Sequence, residues 1–398
     1  MKPLAGYILL DLTHMLSGPY GTMLLADLGV RTIKIEPPGA GEATRSLLAS
    51  DPENSLHGMG AYFLTLNRNK ESICIDLKQP AGLSLFYDLV KRADVVFENF
   101  SPTVTKRLRI DHETLEKLNP RIITCSISGF GHQGPHCDRP AFDMIAQGLG
   151  GGMSITGPIG GGPMRSGIPI GDLGGGLFGV IGVLTALLAR QRTSRGQHID
   201  ISMQDCQISL LNYMATMYSL SGKNPVPLGN GHSVHVPYNA FRTTTRHLII
   251  CCILDHFWDA LAEILQLDDL RVDHYARQPA RFANKEMIER RVQSVLETQS
   301  CEHWLAMLKG RVPCAPVNDF AHALNDPQVR ARNMIVAVEH PLGGTVEMPG
   351  NPVKMSETPA EEFSSPPLVG HNTDTVLHEF LKLSEPQIAA LRANGVIG

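Results

Sequence analysis

Basic residues never gather into a run in this sequence. Lysine and arginine total 35 against 39 aspartates and glutamates, a formal charge of −4 over 398 residues. Nucleic-acid binding needs concentrated cations, so that class of partner is excluded. The eight cysteines include no Cys-x-x-Cys pair, which removes zinc-ribbon and thioredoxin-like readings, and no metal is expected. Most of them sit in apolar runs and read as buried thiols. No apolar core of signal-peptide length follows Met1, and the expected location is the cytoplasm. The longest apolar stretch, residues 173–189, is short and interrupted by Gly174, Gly175, Gly176 and Gly179. It reads as a buried core helix, and no membrane partner is expected. Internal repeats and low-complexity tracts are absent.

What is present is an alternation of strands and helices. Apolar runs at 7–12, 30–36, 72–77, 94–97, 121–126 and 197–203 have strand length. Helical patterns at 20–28, 80–93, 104–118, 177–192 and 205–220 lie between or after them. Such alternation predicts an α/β fold with a parallel sheet. One core rarely grows past roughly 250–300 residues, so more than one domain is expected. The composition changes near Gly222, where Asn224-Pro225-Val226-Pro227 resembles a linker. The boundaries read from this are 1–222 for a large domain, 223–325 for a smaller α+β one, and 326–398 for a return to the first.

Three motifs invite chemistry and each has a plainer reading. Glu36 ends the second strand as an acidic ribose ligand would, but Thr13 to Pro19 is no G-x-G-x-x-G turn. His232 and His235 are spaced for one helix face, yet Gly229, Gly231 and Pro237 forbid a helix there, so they read as loop histidines. Cys206 has no sequence neighbour that would make it a thiolate. Asp172, between a glycine-rich loop and the apolar helix, is a stronger case. Its plain role is a helix N-cap that accepts backbone N–H bonds. The same small neighbours and free N–H groups would also serve a carboxylate nucleophile.

The chain resembles the class III coenzyme A transferases, the family of formyl-CoA:oxalate and carnitine CoA-transferases. The motifs that carry this are Leu10-Asp11-Leu12-Thr13 with Ser17-Gly18-Pro19, Ile33-Lys34-Ile35-Glu36-Pro37-Pro38-Gly39, Asn67-Arg68-Asn69-Lys70 and Val95-Val96-Phe97-Glu98-Asn99-Phe100. Ser128-Gly129-Phe130-Gly131, Gly171-Asp172, Arg195-Gly196-Gln197 and Val312-Pro313-Cys314-Ala315-Pro316-Val317 follow in order. The resemblance implies a Rossmann-like large domain built from both chain ends, a small inserted domain and an interlocked homodimer. It implies CoA thioesters and free carboxylic acids as substrates, with no permanently bound cofactor.

The resemblance also assigns residues. Asp172 is the implied nucleophile, passing through a mixed anhydride and an aspartyl-CoA thioester. Leu16, Ser17, Ile75, Asp76, Leu77, Lys78, Asn99, Phe100, Ser101, Arg107 and Arg139 are the implied CoA contacts. Arg107 is a natural phosphate partner, because a guanidinium suits phosphate geometry. With Pro37-Pro38 where a basic contact is expected, Arg45 is a candidate for the adenosine end. Arg165 is a candidate partner for a distal carboxylate, and His232 and Tyr238 are candidate contributors from the small domain. The donor expected is an acyl-CoA such as succinyl-CoA. Leu16 in place of a glutamine, and no glycine run between 222 and 325, speak against oxalate as acceptor. An acyl-CoA racemase of the same fold, or a non-catalytic CoA-binding subunit, are the alternatives.

Overall fold

The computed structural model of the chain describes residues 2–398. Residues 2–152, Arg165–Lys223 and Ala331–Gly398 form one compact unit, and Met153–Met164 with Asn224–Arg330 form a second.

The first unit is α/β. Its centre is a sheet of six parallel strands: β1 (Ile8–Asp11), β2 (Arg31–Glu36), β3 (Lys70–Cys74), β4 (Val95–Glu98), β5 (Ile123–Ser128) and β6 (His198–Ser202). Their order is β3-β2-β1-β4-β5-β6. The central strands β1, β4 and β5 are largely apolar on both faces because both faces are covered. Leu9 of β1 points into one core with Val95, Phe97 and Ile123, closed by Met23 and Leu25 of α1 (Ser17–Asp27). Leu10, its neighbour, points into the other with Ile33, Ile73 and Val96, closed by Phe86 and Leu89 of α2 (Pro80–Val90). The period of two along a strand requires that division.

Four expected helices are corrected. Helix α1 starts at Ser17 rather than Tyr20. The pattern at 104–118 breaks into α3 (Pro102–Leu108) and a short turn His112–Leu115, because Arg109 adopts the left-handed conformation at φ 57°. The apolar helix starts at Ile170, not Leu177. Beyond α4 (Asp143–Leu149), this α5 runs 24 residues, Ile170–Thr193. It is long and apolar enough to cross a membrane by length and composition, yet Val180, Val183, Ala186 and Leu187 are packed into the core beside β4 and β5. The pattern at 205–220 divides into α6 (Met203–Leu211) and α7 (Tyr213–Ser221) at Asn212, φ 49°.

Between the carboxyl end of β1 and the start of β3 lies a buried ionic layer. Lys70 Nζ stands 2.9 Å from Asp11 Oδ2, and both side chains are fully buried. Arg68 meets Asp27 at 2.8 Å, and Lys34 Nζ donates to the Thr13 carbonyl at 2.7 Å. The chain's return contributes α8 (Thr373–Leu381), whose Val376, Leu377 and Phe380 complete the core on the α2 side.

The second unit has its own core. Strands Tyr238–Phe241, Leu248–Cys251 and Cys314–Pro316 form an antiparallel sheet. Helices Asp255–Ile264, Lys285–Leu296 and Cys301–Leu308 pack with it around Trp258, Leu261 and Ile288. Arg281 is wholly buried there, donating to Val236 O at 3.0 Å, Tyr275 O at 2.8 Å and Asp255 Oδ1 at 2.7 Å.

Candidate active site

In a parallel sheet, ligands bind beyond the carboxyl ends of the strands where the strand order reverses. Here that place lies between β1 and β4, because the chain passes from β1 to β2 and β3 on one side and then returns to β4 on the other. The loops after these two strands are joined by a side chain. Asn99 Oδ1 accepts the His14 amide at 2.9 Å and Asn99 Nδ2 donates to the His14 carbonyl at 2.7 Å. The His14 ring stands 5.3 Å from the Phe100 ring, centroid to centroid. Burial lowers the pKa of His14 and favours its neutral form. Below them Glu98 is buried and its Oε2 accepts the Phe100 amide at 2.7 Å. Burial pushes that carboxyl up to about 7.

Helix α1 begins at this switch point, and the start of α5 is pressed against it. A Cβ added to Gly175 would stand 2.6 Å from Ser17 Oγ, and one added to Gly176 would stand 2.7 Å from the Ser17 carbonyl oxygen. The glycines that read as a loop in the sequence are therefore the contact surface of a helix. This contact sets the first turns of α5, which begin with Ile170-Gly171-Asp172, against the start of α1, and a Cβ on Gly18 of α1 would in turn stand 3.3 Å from Asn99.

Asp172 is the third residue of α5 and does not cap it. Pro169 holds the N-cap position, with no side-chain cap of its own. The cap comes from another helix: Asp143 Oδ1 accepts the amides of Gly171 at 2.8 Å and Asp172 at 3.3 Å. Gln147 Nε2 donates to Asp143 Oδ2 at 2.8 Å, and Gln147 Oε1 accepts the Ser166 amide at 2.9 Å. Burial, and then the negative charge of Asp143, push the Asp172 carboxyl up to about 7. Both causes penalise the ionised form.

The remaining predicted residues are more dispersed. Ile75 is buried and bridged to Ile397, and Asp76 accepts the Lys78 amide at 3.0 Å. With Leu77 and Lys78 they follow β3, on the same sheet edge but two strands from β1. Arg107 is exposed in the last turn of α3. Arg139 is exposed, its guanidinium 5.5 Å from the Phe130 ring. Thr103 of α3 donates to the neighbouring Asp138 at 2.9 Å, which ties the two segments together. Arg165 is exposed, with a 3.4 Å bond to the Ser166 carbonyl. His232 and Tyr238 lie in the second unit with ring centroids 5.1 Å apart.

The reading of Arg45 as an adenosine contact is corrected. The Arg45 guanidinium is committed to Glu36 through two 2.6 Å bonds, and Ser72 Oγ donates to the same carboxylate at 2.6 Å. Neither the arginine nor the acid is free to hold an adenosine or a ribose. Among the described residues no group of three His, Cys, Asp or Glu is arranged to hold a metal.

Sequence reasoning missed His14, Asp143 and Gln147. Only Asp143 left a trace, as an acid opening a short helical pattern.

Comparison with known proteins bears on this site. The profile of CoA-transferase family III matches residues 4–373. An acetyl-CoA:oxalate CoA-transferase of Acetobacter aceti is 41% identical over 92% of this chain and 93% of its own length. A succinyl-CoA:glutarate CoA-transferase of Mus musculus is 35% identical over 100% of this chain and 91% of its own. A succinyl-CoA:mesaconate CoA-transferase of Haloarcula hispanica is 37% identical over 93% and 94%. Among solved structures, a CaiB/BaiF family protein from Brucella suis superposes with a TM-score of 0.85 at 33% identity, covering 95% of this chain and 99% of that one. The match along nearly its whole length makes the chain a member of CoA-transferase family III, an enzyme that transfers coenzyme A between an acyl-CoA and an acid.

Proposed function

We propose that the protein moves coenzyme A between two short acids, at least one of them a dicarboxylate, with Asp172 as the covalent nucleophile. The observation that carries this is the Asp172 carboxyl, half-buried at the sheet's switch-point edge while another residue caps its helix. An Asp172 oxygen attacks the thioester carbonyl. The new C–O bond forms as the C–S bond breaks, and the electron pair leaves on the CoA sulfur. The thiolate then attacks the Asp172 carbonyl carbon of the mixed anhydride, giving an aspartyl-CoA thioester and the first free carboxylate. The incoming acid retraces both steps. No proton is gained or lost overall, so the chain must supply proximity and a dry, oriented site.

Oxalate, glutarate and mesaconate are dicarboxylates, and they appear in the names of three relatives. Two sequence features speak against oxalate, but the likeness to an oxalate enzyme at 41% identity keeps it among the acceptors to be tried. Arg165, exposed and close before Asp172, is our candidate for the distal carboxylate. Leu16, Ser17, Asn99, Phe100 and Ser101 are our assignment for the pantetheine end, and Ile75 to Lys78, Arg107 and Arg139 for the nucleotide end. The racemase reading is disfavoured by the relatives, three of which are named as CoA-transferases.

We further infer a homodimer in the cytoplasm. Phe142, Ile181, Leu188 and Leu220 expose between 57% and 84% of their surface on the first unit, an apolar area a second copy would cover. All eight cysteines are free thiols, as suits a reducing compartment.

The test is to incubate the protein with succinyl-CoA and quench with hydroxylamine. The expected result is a hydroxamate at Asp172, found by peptide mass. Asp172→Ala should bind CoA and exchange nothing; exchange that survives this substitution rules the mechanism out.

A further inference from the structure

The first four amides of α5 all have named acceptors. Ile170 N donates to Ile168 O at 2.8 Å and Leu173 N to Pro169 O at 2.9 Å. Gly171 N and Asp172 N donate to Asp143 Oδ1 at 2.8 and 3.3 Å. A helix start attracts any nearby carboxylate, and the nearest in sequence is Asp172 itself. Its oxygens would fold back onto those amides if Asp143 did not occupy them.

We propose that Asp143 is a positioning residue for the transfer, which caps the Asp172 helix from outside so that the Asp172 carboxylate stays free to attack, and whose negative charge makes that carboxylate a stronger nucleophile once ionised. Gln147 holds Asp143 in place, bonding Asp143 Oδ2 at 2.8 Å and the Ser166 amide at 2.9 Å. The loop before the nucleophile and the cap of its helix are thus fixed by one amide side chain.

The groups around Asp172 leave Asp143 as the charge that matters. Helix α6 presents Cys206 towards Gly174, and burial pushes that thiol up to about 11, so it is neutral. Helix α1 presents Tyr20 towards Gly176, and burial raises that phenol too. Asp205 acts on Cys206, and Arg165 is solvated with its bond to Ser166. A more basic carboxylate is the better nucleophile towards a thioester, and the cost is a smaller ionised fraction below pH 7.

The inference rests on Asp172 as nucleophile, so the experiment separates the two. In protein labelled with 13C at the aspartate carboxyls, the Asp172 signal is identified by its loss in Asp172→Asn and titrated directly. Single-turnover capture of succinyl-CoA at Asp172 is measured in parallel from pH 5 to 9. In Asp143→Asn, the side-chain oxygen still accepts the two amides, the charge is gone, and the bond from Gln147 Nε2 is lost because the new Nδ2 is itself a donor; Gln147→Leu, which loses that bond and keeps the charge, is the control. The Asp172 midpoint in Asp143→Asn should fall by about one pH unit or more, which is a tenfold larger ionised fraction in acid. Capture above pH 8 should slow at the same time. A purely structural role would change the yield of folded protein and leave the midpoint where it was, and that result overturns the proposal. Asp143→Glu, which keeps the charge on a longer arm, should retain the raised midpoint and lose rate, and unchanged capture in it also overturns the proposal. If the wild-type protein forms no adduct at Asp172, the nucleophile reading fails instead, whatever the midpoints do.

Discussion

A Cβ placed on Gly176 would stand 2.7 Å from the backbone carbonyl oxygen of Ser17. Backbone cannot swing aside as a side chain can, so Gly176→Ala must push α5 away from α1. Alanine is the better helix former by about 1 kcal/mol, and overpacking costs about 1–3 kcal/mol. Packing should win here. The displacement also moves Asp172, and misplacement on the order of 1 Å can cost about 100-fold in rate. The expected outcome for Gly176→Ala is a turnover loss between about 10- and 100-fold with a small loss of stability. Gly174→Ala is the control, because its nearest neighbour, Leu210 Cδ1, is 3.4 Å from the added Cβ. It should be neutral or slightly stabilising in urea unfolding. Equal behaviour of the two variants would refute the close-packing account.

Asp172 should cost the protein stability. Its carboxyl is pushed from 3.8 to about 7. Between those pH values the folded protein holds a proton that the unfolded chain has released, so stability falls as pH rises through the window. Above pH 7 the penalty is complete. Asp172→Asn should therefore be more stable than wild type at pH 8, by about 1–3 kcal/mol after allowing for partial exposure. The two proteins should converge towards pH 4. Urea midpoints at both pH values check this, and a variant less stable at pH 8 would contradict it.

Much of this molecule was legible in its sequence. Five of the six parallel strands read to within two residues, as short runs ended by a turn, such as Glu36 before Pro37; the third, expected at 72–77, runs Lys70–Cys74, because it opens on charged Lys70 and Glu71 while Ile75 and Leu77 prolong the apolar run. The start of α5 did not read correctly, because Gly171 and Gly174 to Gly176 have poor helix propensity and only the approach of Ser17 explains them. Asp172 was visible as a residue, but its role as a cap was misread. The true cap, Asp143, stands 29 residues earlier, and nothing local announces that pairing. Arg45 looked free because its partner, Glu36, lies nine residues earlier, at the end of a strand. Local propensity is overridden wherever two distant segments meet at van der Waals contact.

The buried pair Lys70–Asp11 gives an acid-stability prediction. Burial works against the Asp11 carboxylate, but the cations of Lys70 and Lys34 more than offset this and hold its pKa at about 2. The lowered value contributes stability that is present above 3.8 and lost as pH falls towards about 2. Lys70→Met leaves Asp11 buried without its closest cation, which should cost about 3–5 kcal/mol. Its acid unfolding midpoint should lie at higher pH than that of wild type, as read by far-ultraviolet circular dichroism. An unchanged midpoint would mean that Lys34 and the neighbouring hydroxyls satisfy Asp11 alone.

Asn99 should affect binding more than chemistry. Its amide pairs with both backbone groups of His14, at 2.9 and 2.7 Å, and so fastens the loop after β1 to the loop after β4. Asn99→Asp keeps the acceptor for the His14 amide and sets a carboxylate oxygen against the His14 carbonyl. That replaces a bond with a repulsion, at a cost of about 1–3 kcal/mol. Asp172, our proposed nucleophile, sits on a different element, whose start is held by Asp143 and Gln147, so its carboxyl should keep its place. The expected outcome is a KM for acyl-CoA raised between about 5- and 100-fold, since about 1.4 kcal/mol is tenfold, with kcat within a few-fold of wild type. Asn99→Ala, which removes the clamp without adding charge, should show a smaller rise. If kcat falls and KM holds, Asn99 serves the reacting centre, and the division between a CoA-binding switch point and a separately braced nucleophile is wrong.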